Sequence, residues 1–592
     1  MPIRPRALCR LLPRVTVLLF AILALGLAAD TSLMPNWVRD TCVMPGLEPG
    51  IQTPSFGVWM AGSGPAMTRR LHGPLSPGFR ITRVAQTQMI WHRGELGDPG
   101  SLDPHKATTL IESNVLGELF EGLAALNAKG EIIPGVAESW SVGEGGTVYT
   151  FKLRKDAKWS NGDSVTAGDF VFAFRRLMAP ATGAPYANIL YTLKNAEKVN
   201  KGELAVEQLG ARALDDGTLE IELEQPAPYF IAQLPHFTAR PLHQKSIEAF
   251  GSDFVHPAHI VTNGPFMLRE FTPNSRTVLV KNPHYYDAAK VALDGEIFYS
   301  LEDRAAGLRR FMAGEIHSYN DVPVEQIGFV RAHLAEAFRV SPNLASYFYA
   351  FDTRNKPFND KRVRQALAMA IDREFLAERI WGGTMEPGYS FVPPGIESYG
   401  PPETVKWKDM DPFEREDEAK RLLAEAGLGE GGQKLEAEIR FNNSENHRAT
   451  AVAIADMWKA LGVETKLLAT DTTTHYAFLR EKPPFSAARS GWFADFPDAQ
   501  NFLFLGQSDN QALNVASFSN ERFDRLMREA QIEASPGRRR AILHEAEALF
   551  LDEQPDLVLL TYKSRDLVSS NLKGWEANVR DHHPGRYISI AP

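Results

Sequence analysis

Few side chains in this sequence stand at the spacings that catalysis requires. It contains no G-x-S-x-G nucleophile motif, no G-x-x-x-x-G-K-[ST] phosphate loop, no G-x-G-x-x-G turn after a predicted strand and no H-E-x-x-H metal motif. His544 and Glu545 begin like the last of these, but the second histidine is missing. A serine or carboxylate hydrolase stays open, because its residues meet in space and not in sequence. We interpret the remaining paired histidines as exposed polar residues and not as metal ligands. They are His256, His259, His582 and His583.

One carboxylate stands out by its surroundings. Asp495 lies in the segment GWFADFPD, among Trp492, Phe493 and Phe496. Because a low dielectric strengthens the attraction between a carboxylate and a cation, an acid in an aromatic setting is a candidate for binding an ammonium group. The alternative is that Asp495 caps a helix or a turn, as aspartates often do. On the residues alone we favour the cap.

The composition limits the classes of protein to consider. A chain of 592 residues holds several domains or one large composite unit, and 44% hydrophobic with 23% charged residues is ordinary for a globular protein. A formal charge of −9 argues against nucleic acid as the main partner. The two cysteines, Cys9 and Cys42, exclude a disulfide scaffold and leave no thiol for catalysis beyond residue 85.

The first 85 residues differ from the rest. They carry nine arginines and three acids, a balance of +6, so the remaining chain carries −15. Four arginines precede the apolar run Val15–Ala29, which at fifteen residues is shorter than the roughly 20 that a spanning helix needs. We predict a signal peptide over 1–29 that is cleaved after Ala28 or Ala29, with export to the periplasm, since no cysteine follows for lipid attachment. A membrane anchor is the alternative, and a start at Met34 or Met67 would remove the signal.

Residues 30–85 hold seven glycines and seven prolines and show no amphipathic period, which predicts a disordered linker. Beyond it, hydrophobic periodicity predicts alternating strands and helices, and hence an α/β fold whose texture changes near residue 345. The predicted strands are 89–92, 148–153, 219–223, 266–271, 277–281, 347–351, 436–441, 463–468 and 557–562. The predicted helices are 111–121, 166–178 with a capping box at its start, 360–371, 373–381, 416–426, 449–461, 521–532 and 536–551.

Long segments of the chain resemble one known family. The chain is similar, from about Gln86 to its C-terminus, to the bacterial extracellular solute-binding proteins of family 5, and most closely to their periplasmic oligopeptide-binding members. The resemblance implies a two-lobed α/β periplasmic binding protein fold with an additional domain in the N-terminal lobe. It places one discontinuous lobe at 86–120, 247–344 and 562–592, the additional domain at 121–246 and the opposing lobe at 345–561. The matching segments are SLDPHK (101–106), LFEGL (119–123), PGVAESW (134–140), YTFKLRKDAKWSNGDSVTAGDFVFAFRR (149–176), IVTNGPFML (260–268), KPFNDKRVRQALAMAIDR (356–373) and GWFADFPD (491–498).

The resemblance implies a receptor and not an enzyme. It predicts a monomeric periplasmic protein, without catalytic residues, metal or cofactor, that captures short peptides and delivers them to the permease of an ABC importer. Three alternatives remain: a receptor for another ligand of the family (a dipeptide, murein peptide, opine, sugar or nickel chelate), a secreted peptidase and a signalling co-receptor.

The family also implies roles for individual residues. Asp495 would bind the peptide's α-amino group, and two strand-like edges, Thr108–Leu110 and Gly491–Phe493, would pair with its backbone. Pairing through the main chain reads no side chain, so broad specificity follows. The predicted peptide-binding residues are Thr108, Thr109, Leu110, Tyr186, His447, Arg480, Arg489, Gly491, Trp492, Phe493 and Asp495.

Three of these residues are candidates for the peptide carboxylate. Arg480, Arg489 and His447 fall at family positions that meet C-termini of different lengths, and arginine suits the task because its planar fork matches a carboxylate. A solvent-exposed surface position is the alternative for Arg480. Tyr186 matches a family tyrosine that lines the cleft, and a core tyrosine is its alternative.

The sequence departs from its close enteric relatives at four positions. Ala345 and Phe493 replace a cysteine pair, Trp381 replaces a lysine and Thr108 replaces an acid. The last two changes remove one positive and one negative group from the cleft. We therefore expect a weaker preference for lysine-rich peptides, and we carry over no preferred peptide length from those relatives.

Overall fold

The structure, a computed structural model, describes residues 88–429 and 432–591. The predicted signal peptide and linker, and both cysteines, lie outside the described residues. Nineteen strands occur in the described part of the chain: β1 Ile90–Glu95, β2 Ala124–Leu126, β3 Ile132–Pro134, β4 Ala137–Val142, β5 Val148–Leu153, β6 Ala211–Asp215, β7 Thr218–Glu222, β8 Phe266–Thr272, β9 Arg276–Lys281, β10 Gly295–Ser300, β11 Ser318–Tyr319, β12 Phe338–Phe351, β13 Met385–Pro387, β14 Glu436–Asn442, β15 Glu464–Thr470, β16 Ala487–Phe493, β17 Asp556–Val568, β18 Leu572–Lys573 and β19 Ser589–Ile590.

Helices separate most of these strands. A π-helical turn, Leu376–Ile380, directly follows the short helix Arg373–Phe375. Among the described residues no helix is both long enough and apolar enough to cross a membrane. The fifteen α-helices described are α1 Leu110–Leu119, α2 Ala167–Met178, α3 Ala196–Asn200, α4 Phe230–Gln233, α5 Gln244–Phe250, α6 Arg304–Met312, α7 Ile327–His333, α8 Lys361–Met369, α9 Arg373–Phe375, α10 Pro412–Glu425, α11 Glu445–Lys459, α12 Thr472–Glu481, α13 Gln500–Leu503, α14 Glu521–Ile532 and α15 Pro536–Glu553.

One large mixed sheet runs through the described chain. Its strand order is β15-β14-β16-β12-β17-β11-β1-β10-β9-β8, with β13 added on β17. The two central strands, β12 and β17, are its longest, and they pair antiparallel with register shifts between Pro342 and Ser346 and between Tyr347 and Phe348. A separate four-stranded antiparallel sheet has the order β4-β5-β7-β6.

The sheet connects separate hydrophobic cores. One core is built from residues between Leu344 and Leu560. A second is built mainly from residues between Trp91 and Phe298, with additions from the C-terminal segment, and a small third core surrounds Tyr319. The chain thus passes between the two large cores along β12 and again along β17.

Local sequence explains how α2 is placed. Thr166 and Asp169 form the predicted capping box, in which the Asp169 carboxylate accepts hydrogen bonds from the Thr166 backbone and hydroxyl. The apolar residues of α2 recur at helical spacing and are buried in the second core. Near its C-terminal end, Arg176 donates two hydrogen bonds to Asp103 of the SLDPHK loop, which fixes the chain just before α1.

Candidate functional site

A cavity of about 1470 Å³ lies between residues of the two large cores. Its walls come from the start of α1, the loops around 186 and 236, the end of β16, and the segments 509–513 and 580–584. Nine of the eleven predicted peptide-binding residues line it: Thr108, Thr109, Leu110, Tyr186, Arg480, Gly491, Trp492, Phe493 and Asp495. His447 and Arg489 do not.

Asp495 follows β16, and its side chain is only 12% exposed. Its carboxylate accepts a long hydrogen bond of 3.4 Å from the Asn501 amide and lies 3.8 Å from Nε2 of His236. Arg580 donates to the backbone oxygen of Asp495 at 2.9 Å and not to the carboxylate. Among the described residues no lysine or arginine forms an ion pair with this acid.

The surroundings of Asp495 change its protonation. Burial raises the pKa of its carboxyl to about 7, against the opposing effects of the Asn501 hydrogen bond and the Arg580 charge. Burial also lowers the pKa of His236 to about 3, so this neighbour is neutral at physiological pH. An incoming ammonium group would therefore meet a buried acceptor with which no lysine or arginine among the described residues forms an ion pair.

The alternative role of Asp495 as a helix cap is not what the structure shows. The helix that follows, α13, begins at Gln500, and it is Asp498 that accepts from the Gln500 backbone. Asp498 also receives two hydrogen bonds of 2.8 Å from Arg539. The structural aspartate of this segment is thus Asp498.

Asn501 holds the Asp495 segment in place. Its side-chain oxygen accepts from Nε1 of Trp492 at 3.1 Å and from the Asp495 backbone at 2.8 Å. Sequence reasoning missed Asn501, and no motif signal marks it. The aromatic setting predicted for Asp495 is present in part: Phe496 is buried against Tyr229 in a stacked pair.

The end of β16 offers an open main-chain edge. On one side, Gly491, Trp492 and Phe493 pair with Tyr347, Ser346 and Ala345 of β12. On the other side, β14 pairs with β16 only as far as Ala488. Among the described residues no strand pairs with Gly491–Phe493 on that side, where these residues line the cavity.

The segment Thr108–Leu110 differs from the strand-like edge that the sequence predicted. Thr109 is the N-cap of α1, and Leu110 is its first residue. Both backbone N–H groups of Thr108 and Thr109 donate to the Glu112 carboxylate, at 2.6 and 2.7 Å. A capping box competes here with sheet-like pairing, so these two donors are already used inside the protein.

Arg489 and His447 lie behind the cavity wall in a tyrosine-rich group. Arg489 donates to the hydroxyls of Tyr476 and Tyr562, and its guanidinium lies 4.9 Å from the ring centre of Tyr347. The Tyr347 hydroxyl in turn contacts Nδ1 of His447 at 3.1 Å. Burial, followed by the Arg489 charge, lowers the pKa of His447 to about 2. The structure does not bring these two residues to the cavity.

Arg480 and Tyr186 lie at the cavity surface. Arg480 is exposed in the last turn of α12, and among the described residues it has no ion-pair partner. Tyr186 packs against His236 and Phe237. Burial, with a smaller contribution from the Asp495 charge, raises the pKa of Tyr186 to about 12. The hydroxyl therefore keeps its proton at physiological pH and can donate a hydrogen bond.

Acids that the sequence did not single out line another part of the cavity. The prediction that His582 and His583 are exposed is wrong: His583 is 7% exposed, because its ring stacks on Trp575 at 3.6 Å. No sequence motif links Glu95 and Asn320 to the C-terminal residues Asp566, Asp581 and His583, because the two groups come from distant segments of the chain. The polar residues of this part are Glu95, Asn320, Asp566, Asp581 and His583.

A sheet shared by two cores, with a large cavity between them, defines a two-lobed ligand-binding protein. Residues 131–514 match the model of the bacterial extracellular solute-binding proteins, family 5, and the chain belongs to this family. The periplasmic oligopeptide-binding protein OppA of Salmonella typhimurium is 36% identical over 468 residues, which cover 78% of this chain and 85% of that protein. The periplasmic murein peptide-binding protein MppA of Escherichia coli is 34% identical over 484 residues, covering 81% and 89%.

A solved structure supports the fold. Haemophilus influenzae OppA in complex with RPPGFSPFR matches with a TM-score of 0.76 at 31% identity, covering 86% of this chain and 99% of that one. The predicted fold class, a two-lobed periplasmic binding protein with an additional domain, is confirmed by this match.

Proposed function

We propose that this chain is an exported receptor that encloses a short peptide and delivers it to an ABC importer. One observation carries the proposal: Asp495, buried and without a cationic partner among the described residues, lies directly beside the open edge of β16 inside a large cavity. An extended peptide offers an ammonium to the acid and a backbone to the edge, whatever its sequence. The names of the relatives OppA and MppA agree with a peptide ligand.

We assign the two lobes as the resemblance implies. The core between Leu344 and Leu560 supports a lobe at 345–561, and the second core supports a lobe of 86–120, 247–344 and 562–592 with the additional domain at 121–246. The strands β12 and β17 form the hinge between them. A peptide favours the closed form because only there do both lobes contact it.

Within the closed cavity the peptide would run from Asp495 along Gly491–Phe493. At the start of α1 the backbone donors of Thr108 and Thr109 are occupied by Glu112 and are therefore not available to the peptide. Arg480, which has no ion-pair partner among the described residues, lies at the cavity surface, and we assign it to the peptide carboxylate. Arg489, by contrast, supports the wall through the lining residue Tyr476, and His447 lies behind the wall against Tyr347.

Location and partners follow from the family. The relatives are periplasmic binding proteins, which implies an exported chain. Residence in the periplasm, transfer to a permease, a monomeric state and the absence of catalysis are parts of the proposal. Incubation with peptides followed by mass spectrometry would return the peptides intact, whereas a peptidase would yield fragments.

Calorimetry with one short peptide and its N-acetylated form tests the central interaction. Asp495→Ala removes the partner of a desolvated ammonium, and breaking such a buried pair costs about 3–5 kcal/mol. We expect the variant to lose affinity by two to three orders of magnitude and the acetylated peptide to bind the unmodified protein poorly. Asp509→Asn, which removes an exposed acid from the same cavity, is the control and should bind normally. Equal affinities for free and acetylated peptide would contradict the proposal.

A further inference from the structure

Three side chains of the C-terminal 27 residues come together in the cavity. The carboxylates of Asp566 and Asp581 and the imidazole of His583 each place a ligand atom within 4.8 Å of the others. Asp566, near the end of β17, is 2% exposed, and Nε2 of His583 lies 3.2 Å from Asp581. Two carboxylates and an imidazole at such close range form a constellation that peptide capture does not use.

The charges of this group are not balanced by the protein. Among the described residues no lysine or arginine pairs with Asp566 or Asp581. The nearby Arg93 is already shared by three buried acids, Glu95, Glu118 and Glu296, at 3.6, 3.7 and 3.2 Å. Because an unpaired buried charge is costly, this region requires a further cation or bound protons.

Unused hydrogen-bonding atoms point the same way. Oδ1 of Asp566 and Nδ1 of His583 are buried and have no hydrogen-bond partner, although buried polar atoms are normally satisfied. Oδ1 of the neighbouring cavity residue Asn320 is buried and unpartnered as well. A buried carboxylate oxygen of Asp566 without a donor, close to a second carboxylate and an imidazole, suits a bound cation.

We propose that Asp566, Asp581 and His583 bind a divalent transition-metal ion of the zinc type. The mixed ligand set favours this class, because imidazole and carboxylate together suit zinc, whereas calcium takes oxygen ligands only. Three protein ligands also leave a coordination position open. That position faces the cavity, where water or a group of a bound molecule completes the site.

Titration of the chelator-treated full chain with Zn²⁺ alone tests the site, independently of peptide binding. We expect the unmodified protein to bind one zinc ion per chain. Asp581→Asn and His583→Gln should each bind zinc at least tenfold more weakly. Zinc should raise the melting temperature of the unmodified protein and not that of the variants. Two variants that remove an acid and an imidazole elsewhere, Asp509→Asn and His259→Gln, serve as controls and should keep the ion.

Two results would overturn the proposal. The first is an unchanged zinc affinity in both Asp581→Asn and His583→Gln, and the second is calcium binding as tight as zinc binding. If Asp581→Asn instead loses affinity only for lysine-containing peptides, the group binds a ligand ammonium and no metal. Melting curves of the metal-free variants establish that they fold; should Asp581→Asn fail, His583→Gln decides alone.

Discussion

The side chain of Asp495 is deeply buried, and it nevertheless lines the cavity, where a ligand can reach it. Its partners within the protein are an amide, a neutral histidine and a backbone contact from Arg580. The carboxyl therefore holds its proton unusually tightly until a cation arrives. In the proposed function, ligand binding and proton release are therefore linked.

We predict that peptide affinity falls as the pH decreases below about 7. The pKa of Asp495 is raised to about 7, so below that pH the carboxyl is neutral in the free protein and the ammonium must displace a proton. Affinity should drop by up to about tenfold per pH unit, since one proton is released. Above about 8 the peptide's α-amino group loses its own charge, so the optimum lies between the two values.

Calorimetry between pH 5 and 9, in buffers of different ionisation enthalpy, measures both affinity and proton release. In Asp495→Asn the acidic limb of the profile should disappear. An affinity that stays constant from pH 7 to pH 5 in the unmodified protein would contradict the linkage.

At the scale of elements, sequence periodicity predicted regular structure well where it is local. The strand 148–153 and the helix 521–532 agree with β5 and α14 to the residue, and the capping box at Thr166 starts α2. The strand predicted at 347–351 is the C-terminal part of β12, which begins at Phe338. Its first half contains SPN, which breaks the alternation, and pairing with β17 makes it a strand.

At the candidate site, too, local features could be predicted from the sequence and contacts between distant segments could not. Asp495 and the edge at Gly491 could be identified because a contiguous segment carries the family pattern. The contacts of Asp495 with His236 and Arg580 could not, because these residues are 259 and 85 positions away along the chain. Nor could periodicity show that the donors of Thr108 and Thr109 are used by Glu112.

The capping box of α1 leads to a prediction for this element. Thr109→Ala removes the N-cap hydroxyl, which should cost about 1 kcal/mol of unfolding free energy. Because the same residues line the cavity, peptide affinity should fall as well. Denaturant unfolding and calorimetry measure the two effects.

Thr166→Ala in α2 is the matched control, since it removes the same kind of cap from a helix whose start does not line the cavity. It should lower stability by a similar amount and leave affinity unchanged. If both variants affect binding equally, the start of α1 has no special role in the site.

At the scale of the whole molecule, buried acids determine how stability depends on pH. Burial raises the pKa of Glu547 to about 7 and that of Asp556 to about 8. Glu547 accepts from three backbone N–H groups and Tyr399, whereas Oδ1 of Asp556 has no partner. A carboxyl whose pKa is raised on folding binds its proton more tightly in the folded state, so its stabilising effect is lost as the pH rises.

We predict that ionisation of Asp556 lowers the stability of the ligand-free protein near pH 8 and not near pH 5. The unfolded carboxyl titrates near 4 and folded Asp556 near 8, so the stabilisation that Asp556 contributes should be lost across this window. Asp556→Asn, which keeps the shape without the charge, should raise the melting temperature at pH 8 and have little effect at pH 5. Calorimetric melting curves at both values test this, and a destabilised variant at pH 8 would contradict it.

The open edge of β16 also carries a risk that its position removes. Unpaired strand edges are templates on which other chains add strands and aggregate. Here the free edge from Gly491 to Phe493 lines the cavity, whose walls also include the start of α1 and the loop around Tyr186. A single extended chain fits into such a space, but another folded protein's sheet does not. The enclosure thus acts as a size filter, which lets the receptor keep an adhesive surface without adhering to its neighbours.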